Sequence, residues 1–487
     1  MTGFSGLDRS ATSASFRLPT GPHHIRDVAL DPNLSDELAR LPDLLDGIRR
    51  YAVEVLSGIA DRPVAVPPQA PRPTPLSDSG MGTEGALERF RSHWAPGFSG
   101  SAGPRYLGFV TGGATPASLA GDWLTSTFDQ NAVIAGDSSA LALEREAVGW
   151  LRELFGLSAG HAGAFVTGAT MSNFVGLALA REWAGERIGV SVARDGVAAL
   201  GNLPVLSGSP HTSVYKALAM LGLGRGCVRE VATLPDREAV DVDRLAAELS
   251  ALNGRPGVVV ANAGTVNTVD FDDLRAISAL RRRYPFWLHV DAAFGGFAAV
   301  SPQYAELVAG LDEADSVCAD LHKWLNVPYD SAIQFTRRRD LQVRIFQNSA
   351  AYLGLPTDDP DFMHLTPENS RRLRALPAWF TLAAYGRQGH REIVESDVAL
   401  ARELGERIEE MPHLRLLAPV RLNVVCFTLA GAPTTERVAE LARTVTESGV
   451  AFLTPTVYKG TPGLRAAFSN WRTTDTDIVR IADVLRG

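Results

Sequence analysis

The amino-acid sequence predicts an α/β protein built on a mostly parallel sheet, followed by a smaller α+β domain. Two observations carry this. From about Pro104 onward, short apolar runs alternate with helical stretches, the pattern of β-α-β units on a parallel sheet. Residues able to do chemistry stand directly after several of those runs, and such sheets place ligands outside the carboxyl ends of their strands. With 487 residues, 45% of them hydrophobic, the chain can bury a large core and exceeds one typical domain.

Charge and cysteine usage narrow the classes. A net charge of -8 argues against nucleic acid as the main partner. No apolar run is long enough to span a membrane, and the polar start Met1 to Ser15 lacks the charged-then-apolar order of a secretory signal, so a cytoplasmic protein is expected. Cys227, Cys318 and Cys426 are far apart and match no metal-ligand spacing, so no metal centre is expected.

Residues 1–33, rich in Gly, Ser, Pro and Asp, read as a loose arm. Leu38, Leu41, Leu44, Leu45 and Ile48, then Tyr51, Ala52, Val55 and Leu56, recur at helical spacing up to about Ile59, with Pro42 suited to a first turn. The six prolines of Arg62 to Pro75 make an extended linker, and the apolar stripe before it points to packing on another subunit or domain. Strands are expected at Phe165–Thr167, Pro204–Ser207, Val258–Ala261, Trp287–Val290 and Ser316–Ala319, with helices at Ser172–Trp183, Asp241–Leu252 and Asp272–Arg283 between them. Beyond about Leu376 a helix beginning at Trp379, a helix at Val398–Met411, a strand at Arg421–Leu429, a helix at Thr435–Ser448 and a closing helix at Ile478–Leu485 form the smaller domain. The organisation expected is 1–103 (arm, helix and linker), 104–375 (large domain) and 376–487 (small domain).

Four stretches carry candidate chemistry. Thr167-Gly-Ala-Thr-Met-Ser-Asn173 leads into a helix, and its small residues, hydroxyls and free N–H groups suit an anion such as a phosphate; taken alone it reads first as a plain strand-to-helix turn with a Thr or Ser cap. It matches neither the dinucleotide nor the P-loop fingerprint. His211 follows a strand and precedes a helix, where a cap or a catalytic imidazole would stand. Asp291 ends an apolar strand in His289-Val-Asp-Ala-Ala-Phe-Gly-Gly296; so enclosed a carboxylate needs a cationic or N–H partner, or it caps the next turn. Lys323 lies among apolar neighbours in Asp320-Leu-His-Lys-Trp-Leu, a setting in which desolvation lowers an amine's proton affinity and makes it a nucleophile for Schiff-base chemistry.

In this order, and with Leu119-Ala-Gly-Asp-Trp-Leu-Thr-Ser-Thr127, His322-Lys-Trp and Leu464-Arg-Ala-Ala-Phe-Ser-Asn470, the chain resembles the pyridoxal-phosphate-dependent group II amino-acid decarboxylases, the family of glutamate and aromatic-amino-acid decarboxylases. The resemblance implies the aspartate-aminotransferase-like architecture (fold type I) and a homodimer with active sites shared at the subunit interface. It implies that Lys323 binds pyridoxal 5'-phosphate covalently, that Asp291 keeps the pyridine nitrogen protonated, and that His211 stacks over the ring beside Ala293. It further implies that Thr170, Met171, Ser172 and His322 hold the phosphate, and that Arg465 receives a carboxylate of the amino-acid substrate. Lys323, His211 and Asp291 would be the catalytic set, and the reaction is decarboxylation of an L-amino acid to an amine.

Two departures from the family pattern stand out. Asp320-Leu321 replaces the Asn-Pro of many relatives, so Asp320 is expected to face away from the phosphate or to accept a backbone donor. In the loop between Asn348 and Pro367, Phe362 falls where relatives carry a tyrosine that reprotonates the substrate carbon; phenylalanine has no proton to give, and oxygen could then divert the product to an aldehyde. Tyr352 and His364 lie in the same loop. Carbon–carbon cleavage, transamination and a non-catalytic scaffold are the remaining alternatives. Phe109 and Val110 fall where the aromatic branch lines its side-chain pocket, which favours an aromatic substrate, although the Trp123 segment is closer to the glutamate branch.

Overall fold

The computed structural model describes residues 31–66, 72–132, 138–348 and 359–487. Among them lie two compact units, one formed by residues 31–54 and 72–96, the other by 55–66 and the described part of 97–487. Residues 1–30, part of the proline-rich segment, and Tyr352 lie outside the described residues.

In the first unit the single expected helix is two, Pro32–Ala39 and Leu41–Ser57, with a turn at Arg40 between them. Pro42 explains the break: lacking an N–H, it fits a first turn and not an interior. Asp31 accepts the N–H of Asn33 as cap of the first helix. Leu34, Leu38, Leu41, Leu45 and Ile48 are exposed in the single chain.

The second unit is α/β. Its large sheet comprises β1 (Ala162–Val166), β2 (Val205–Ser207), β3 (Val228–Glu230), β4 (Gly257–Asn262), β5 (Phe286–Asp291), β6 (Ser316–Asp320) and β7 (Ala332–Thr336), in the order β1-β7-β6-β5-β4-β2-β3. Six strands run one way and β7 alone opposes them. Strands β4, β5 and β6 are buried along their whole length. That is why each reads as a continuous apolar run rather than an alternating one. Helix Ala169–Arg187 packs across β5, β6 and β7. It starts three residues earlier than expected, so Thr170, Met171 and Ser172 form its first turn.

The smaller C-terminal domain holds an antiparallel sheet of β8 (Leu414–Leu416), β9 (Val424–Leu429), β10 (Thr454–Tyr458) and β11 (Thr461–Ala467), ordered β10-β11-β9-β8. Helices Thr435–Glu447 and Asp475–Arg486 and the second part of helix Ala375–Glu409, which is interrupted at Gly386, complete it. Val425, Phe427, Leu464, Phe468, Ile478 and Ile481 form its core. No helix of the described residues is long and apolar enough to cross a membrane.

Candidate active site

Three neighbouring parallel strands end side by side in Asn262 (β4), Asp291 (β5) and Asp320 (β6). A cavity of about 260 Å³ opens beyond these ends, the place such a sheet reserves for a ligand. Asp291, Ala293, His211, His322 and Lys323 line it from the large domain, Arg465 lines it from β11, and Phe109 and Val110 close one side. A larger concavity of about 640 Å³ lies elsewhere, around Asp241, Asp272 and Asp273. Three of its acids are already committed: Asp241 and Asp273 cap helices, and Asp272 accepts the N–H groups of Val240 and Asn262. Among the described residues no lysine or histidine lines it.

Lys323 sits in a one-turn helix, Leu321–Trp324. Its Nζ lies 2.8 Å from Asp320 Oδ2 and 5.6 Å from the centre of the Phe294 ring. Burial pulls the amine's proton affinity down, as the sequence suggested. Asp320, with Asp291 behind it, overcomes that effect, so the lysine titrates above its ordinary value rather than below it. This corrects the expectation of a neutral amine: a carboxylate three residues earlier outweighs the apolar neighbours. The other oxygen of Asp320 accepts the N–H of Ala169 at 2.7 Å, the backbone donor expected of it. Two anchors fix the lysine's turn. Trp324 Nε1 donates to Asp397 at 2.7 Å, and Gly112 packs so tightly that a Cβ there would stand 1.7 Å from the Lys323 carbonyl oxygen.

Asp291 is buried, accepting the side-chain N–H of Asn173 at 2.9 Å and the N–H of Ala293 at 3.2 Å. His211 caps helix Thr212–Met220. Its Nδ1 accepts the Ser213 N–H at 3.3 Å and lies 2.8 Å from Ser213 Oγ. Ser213 Oγ itself accepts from Asn173 at 3.0 Å, so its own proton goes to His211. A ring nitrogen receiving two donors carries no proton, so the neutral imidazole holds it on Nε2. Although the residue is exposed in the single chain, desolvation lowers His211's proton affinity against the pull of Asp291.

His322 is half-buried beside Asp320, packs against Tyr329 with the rings tilted by 34° and their centres 4.2 Å apart, and is likewise shifted down by burial. Arg465 is buried and donates through Nη1 to the Val266 carbonyl; its Nε has no partner among the described residues, and burial lowers its proton affinity.

Thr170, Met171, Ser172, Phe362 and His364, all named from the sequence, are not in the cavity lining. Ala169 lines it, Thr170 and Met171 follow it in the first turn without lining the cavity, and the fully buried Ser172 donates its hydroxyl to the Ile333 carbonyl at 3.0 Å. That hydroxyl is therefore not free for a phosphate, because the helix begins earlier than expected and turns Ser172 toward β7. Phe362 is buried with Arg371 5.0 Å over its ring, and His364 is buried, its Nδ1 accepting the Asn348 N–H at 3.0 Å. Sequence reasoning gave no role to Asn173, Ser213, His289 or Tyr329, although Asn173 and His289 stand inside two of the stretches it singled out.

A primary amine, a buried carboxylate at a central strand end, an imidazole wall and a helix N-terminus in one cavity suit pyridoxal phosphate. The group asks for an aldehyde partner, a pyridinium partner and phosphate donors. The N–H of Ala169 is taken by Asp320, which leaves those of the following first-turn residues for an anion.

This fold and site define a fold type I pyridoxal-phosphate enzyme. The family model of the pyridoxal-dependent decarboxylase conserved domain matches residues 72–430, and the chain belongs to that family. It is 31% identical over 307 residues to an L-2,4-diaminobutyrate decarboxylase of Acinetobacter baumannii, a match spanning 58% of this chain and 59% of that protein. To an aromatic-L-amino-acid decarboxylase of Bacillus atrophaeus it is 27% identical over 394 residues, covering 78% and 79% of the two chains. The crystal structure of Oryza sativa TDC with PLP and tryptamine superposes with a TM-score of 0.82 at 23% identity, covering 93% of this chain and 99% of that one, a likeness of fold. The protein is a pyridoxal-phosphate-dependent carboxy-lyase.

Proposed function

We propose that the substrate is an L-amino acid with an aromatic side chain, released as its amine and carbon dioxide. When bound, pyridoxal phosphate supplies an electron sink for the pair left on the α-carbon as carbon dioxide departs. In this reading Lys323 captures the cofactor, Asp291 holds the proton of its ring nitrogen, and His211 and Ala293 flank the ring. The first-turn N–H groups at Thr170 and Met171, with His322, hold the phosphate; Ser172 shapes that turn through its bond to Ile333. Arg465, with a buried unpartnered Nε, receives the substrate carboxylate through its planar fork. Holding that carboxylate's bond perpendicular to the ring selects which bond breaks, so positioning is the protein's main contribution.

The observation that carries the aromatic preference is the wall of Phe109, Val110, Val266 and Tyr329. Phe109 is 59% exposed, an unusual placement for phenylalanine, and is held by its N–H to Thr454 Oγ1 at 2.7 Å. A flat ring laid on that wall would gain on the order of 1 kcal/mol over an aliphatic chain. Among the described residues no lysine or arginine but Lys323 and Arg465 lines the cavity, which disfavours an acidic side chain. The same reading takes 104–375 as the cofactor-binding part, 376–487 as the small domain, and the exposed leucine stripe of Leu34 to Ile48 as the seam of a cytoplasmic homodimer.

The test is the visible spectrum of the purified protein with pyridoxal phosphate beside Lys323→Ala, followed by L-amino acids assayed for carbon dioxide, amine and aldehyde. A cofactor band lost in the variant, with carbon dioxide and amine formed one for one from an aromatic amino acid, is the expected result. Faster release from glutamate or diaminobutyrate would overturn the aromatic assignment. Aldehyde and ammonia in place of amine would overturn the product.

A further inference from the structure

Asn173 lies where the parts of the site meet. It is fully buried in helix Ala169–Arg187. Its Nδ2 donates to Asp291 Oδ2 at 2.9 Å and to Ser213 Oγ at 3.0 Å, and its Oδ1 lies 2.8 Å from His289 Nε2. The orientation of this amide follows from chemistry. An ionised carboxylate only accepts, so the atom facing Asp291 is the NH₂, and the oxygen then takes the proton of His289 Nε2. His289 is fully buried and held neutral, its pKa pushed down to about 4 chiefly by burial. Its Nδ1 therefore accepts the Ser316 hydroxyl at 2.8 Å, and that hydroxyl accepts Trp287 Nε1 at 2.9 Å. Each donor and acceptor of the Asn173 amide is thus matched, in a dry network that leaves it one orientation.

We propose that Asn173 is a positioning residue whose amide holds the Asp291 carboxylate in the orientation that meets the cofactor's ring nitrogen. The inference rests on the assignment of Asp291 to that nitrogen. His289, which touches no ligand, keeps the amide from flipping, and Ala293 N–H secures the second carboxylate oxygen. Without the Asn173 donor the carboxylate keeps one backbone contact and can rotate about its χ2.

Two variants separate positioning from mere filling of space. Asn173→Leu keeps nearly the same volume and offers no hydrogen bond. Asn173→Asp keeps the acceptor for His289 and can donate to Asp291 only while protonated; once ionised, it places a second negative charge against the first. The full chain, wild type and variants, is titrated with pyridoxal phosphate across the neutral pH range, reading the cofactor Kd from the visible band, with thermal unfolding as the check on fold. Asn173→Leu is expected to weaken binding about tenfold or more at every pH, as loss of a charged hydrogen bond does. For Asn173→Asp, the Kd relative to wild type at the same pH is expected to approach one in acid and to grow as pH rises. If Asn173→Leu fails to fold, the pH course of Asn173→Asp decides alone. A Lys323-dependent band with a relative Kd that stays flat, or a folded Asn173→Leu that binds as tightly as wild type, overturns the inference and leaves the decarboxylase reading standing. A wild-type protein without a band, or a band that survives Lys323→Ala, overturns both.

Discussion

Lys323 Nζ lies 2.8 Å from Asp320 Oδ2, a carboxylate whose other oxygen caps the helix that starts at Ala169. Asp320 therefore does two jobs: it satisfies a helix terminus and it keeps the lysine charged. Only the neutral amine attacks an aldehyde, so capture of pyridoxal phosphate grows with pH through the lysine's titration. That titration stands above the ordinary lysine value: burial lowers it, and Asp320 with Asp291 behind it together outweigh burial. Asp320→Asn keeps an acceptor for Ala169 and removes the charge. The midpoint of capture should move to lower pH, and capture near neutrality should quicken about tenfold for every pH unit by which the midpoint falls. Stopped-flow absorbance against pH measures it, and a midpoint that stays put or rises rules out Asp320 as the cause.

Asn326 clasps three segments of the site. Its Nδ2 donates to the carbonyls of Gly112 and Ser469, both at 2.6 Å, while its own carbonyl accepts from Thr115 N–H and Ser118 Oγ. Its backbone is left-handed, φ 56°, a conformation asparagine tolerates better than alanine. Asn326→Ala strands two buried carbonyls and adds backbone strain, together about 3 kcal/mol or more. Asn326→Gly loses the same bonds without the strain and should unfold at a denaturant midpoint between alanine and wild type. Equal midpoints for alanine and wild type would show that the clasp contributes nothing.

What was legible in the sequence, and what was not, divides along physical lines. Strands β4, β5 and β6 were found to within a residue because burial on both faces makes them continuous apolar runs. Their ends then point to Asp291 and Lys323 as residues to inspect. Strand β7 was missed because Gln334, buried at its middle and bonded to Gln342 at 3.2 Å, breaks the apolar pattern. The hairpin β10–β11 was hidden by Pro455 and Pro462, residues that argue against a strand anywhere but at edges and ends. Asn173 reads as an ordinary helix-start residue; its partners Ser213 and Asp291 are 40 and 118 positions away, and only the tertiary fold brings them together.

Arg465 offers a separable test. It is buried against the Val266 carbonyl, within a loop that Glu238 holds through Thr265, Asn267 and Thr268. Lysine at this position keeps the charge and loses the planar fork. Arg465→Lys should raise KM for the amino acid by about tenfold or more, the worth of a charge-assisted bond, with cofactor affinity little changed. A fall in cofactor affinity with KM unchanged would assign Arg465 to the phosphate instead of the substrate.

Asp397 supplies the clearest pH dependence of stability. It is fully buried on helix Ala375–Glu409 and accepts Trp324 Nε1 at 2.7 Å, directly beside Lys323 in the chain. Burial, only partly offset by that N–H, raises its pKa from 3.8 to about 7. The folded state thus holds a proton that the unfolded chain releases between roughly pH 4 and pH 7, so over that window stability falls as pH rises, and it is level on either side. Above pH 7 the protein carries an ionised carboxylate with a single neutral donor, at a cost of a few kcal/mol. Asp397→Asn keeps an oxygen for Trp324 and cannot ionise. It should unfold at higher urea than wild type above neutrality, match it in acid, and leave capture of pyridoxal phosphate by Lys323 unchanged. If the two proteins show the same pH dependence of the urea midpoint between pH 4 and pH 7, the proton is bound elsewhere and Asp397 is not the group that weakens the fold.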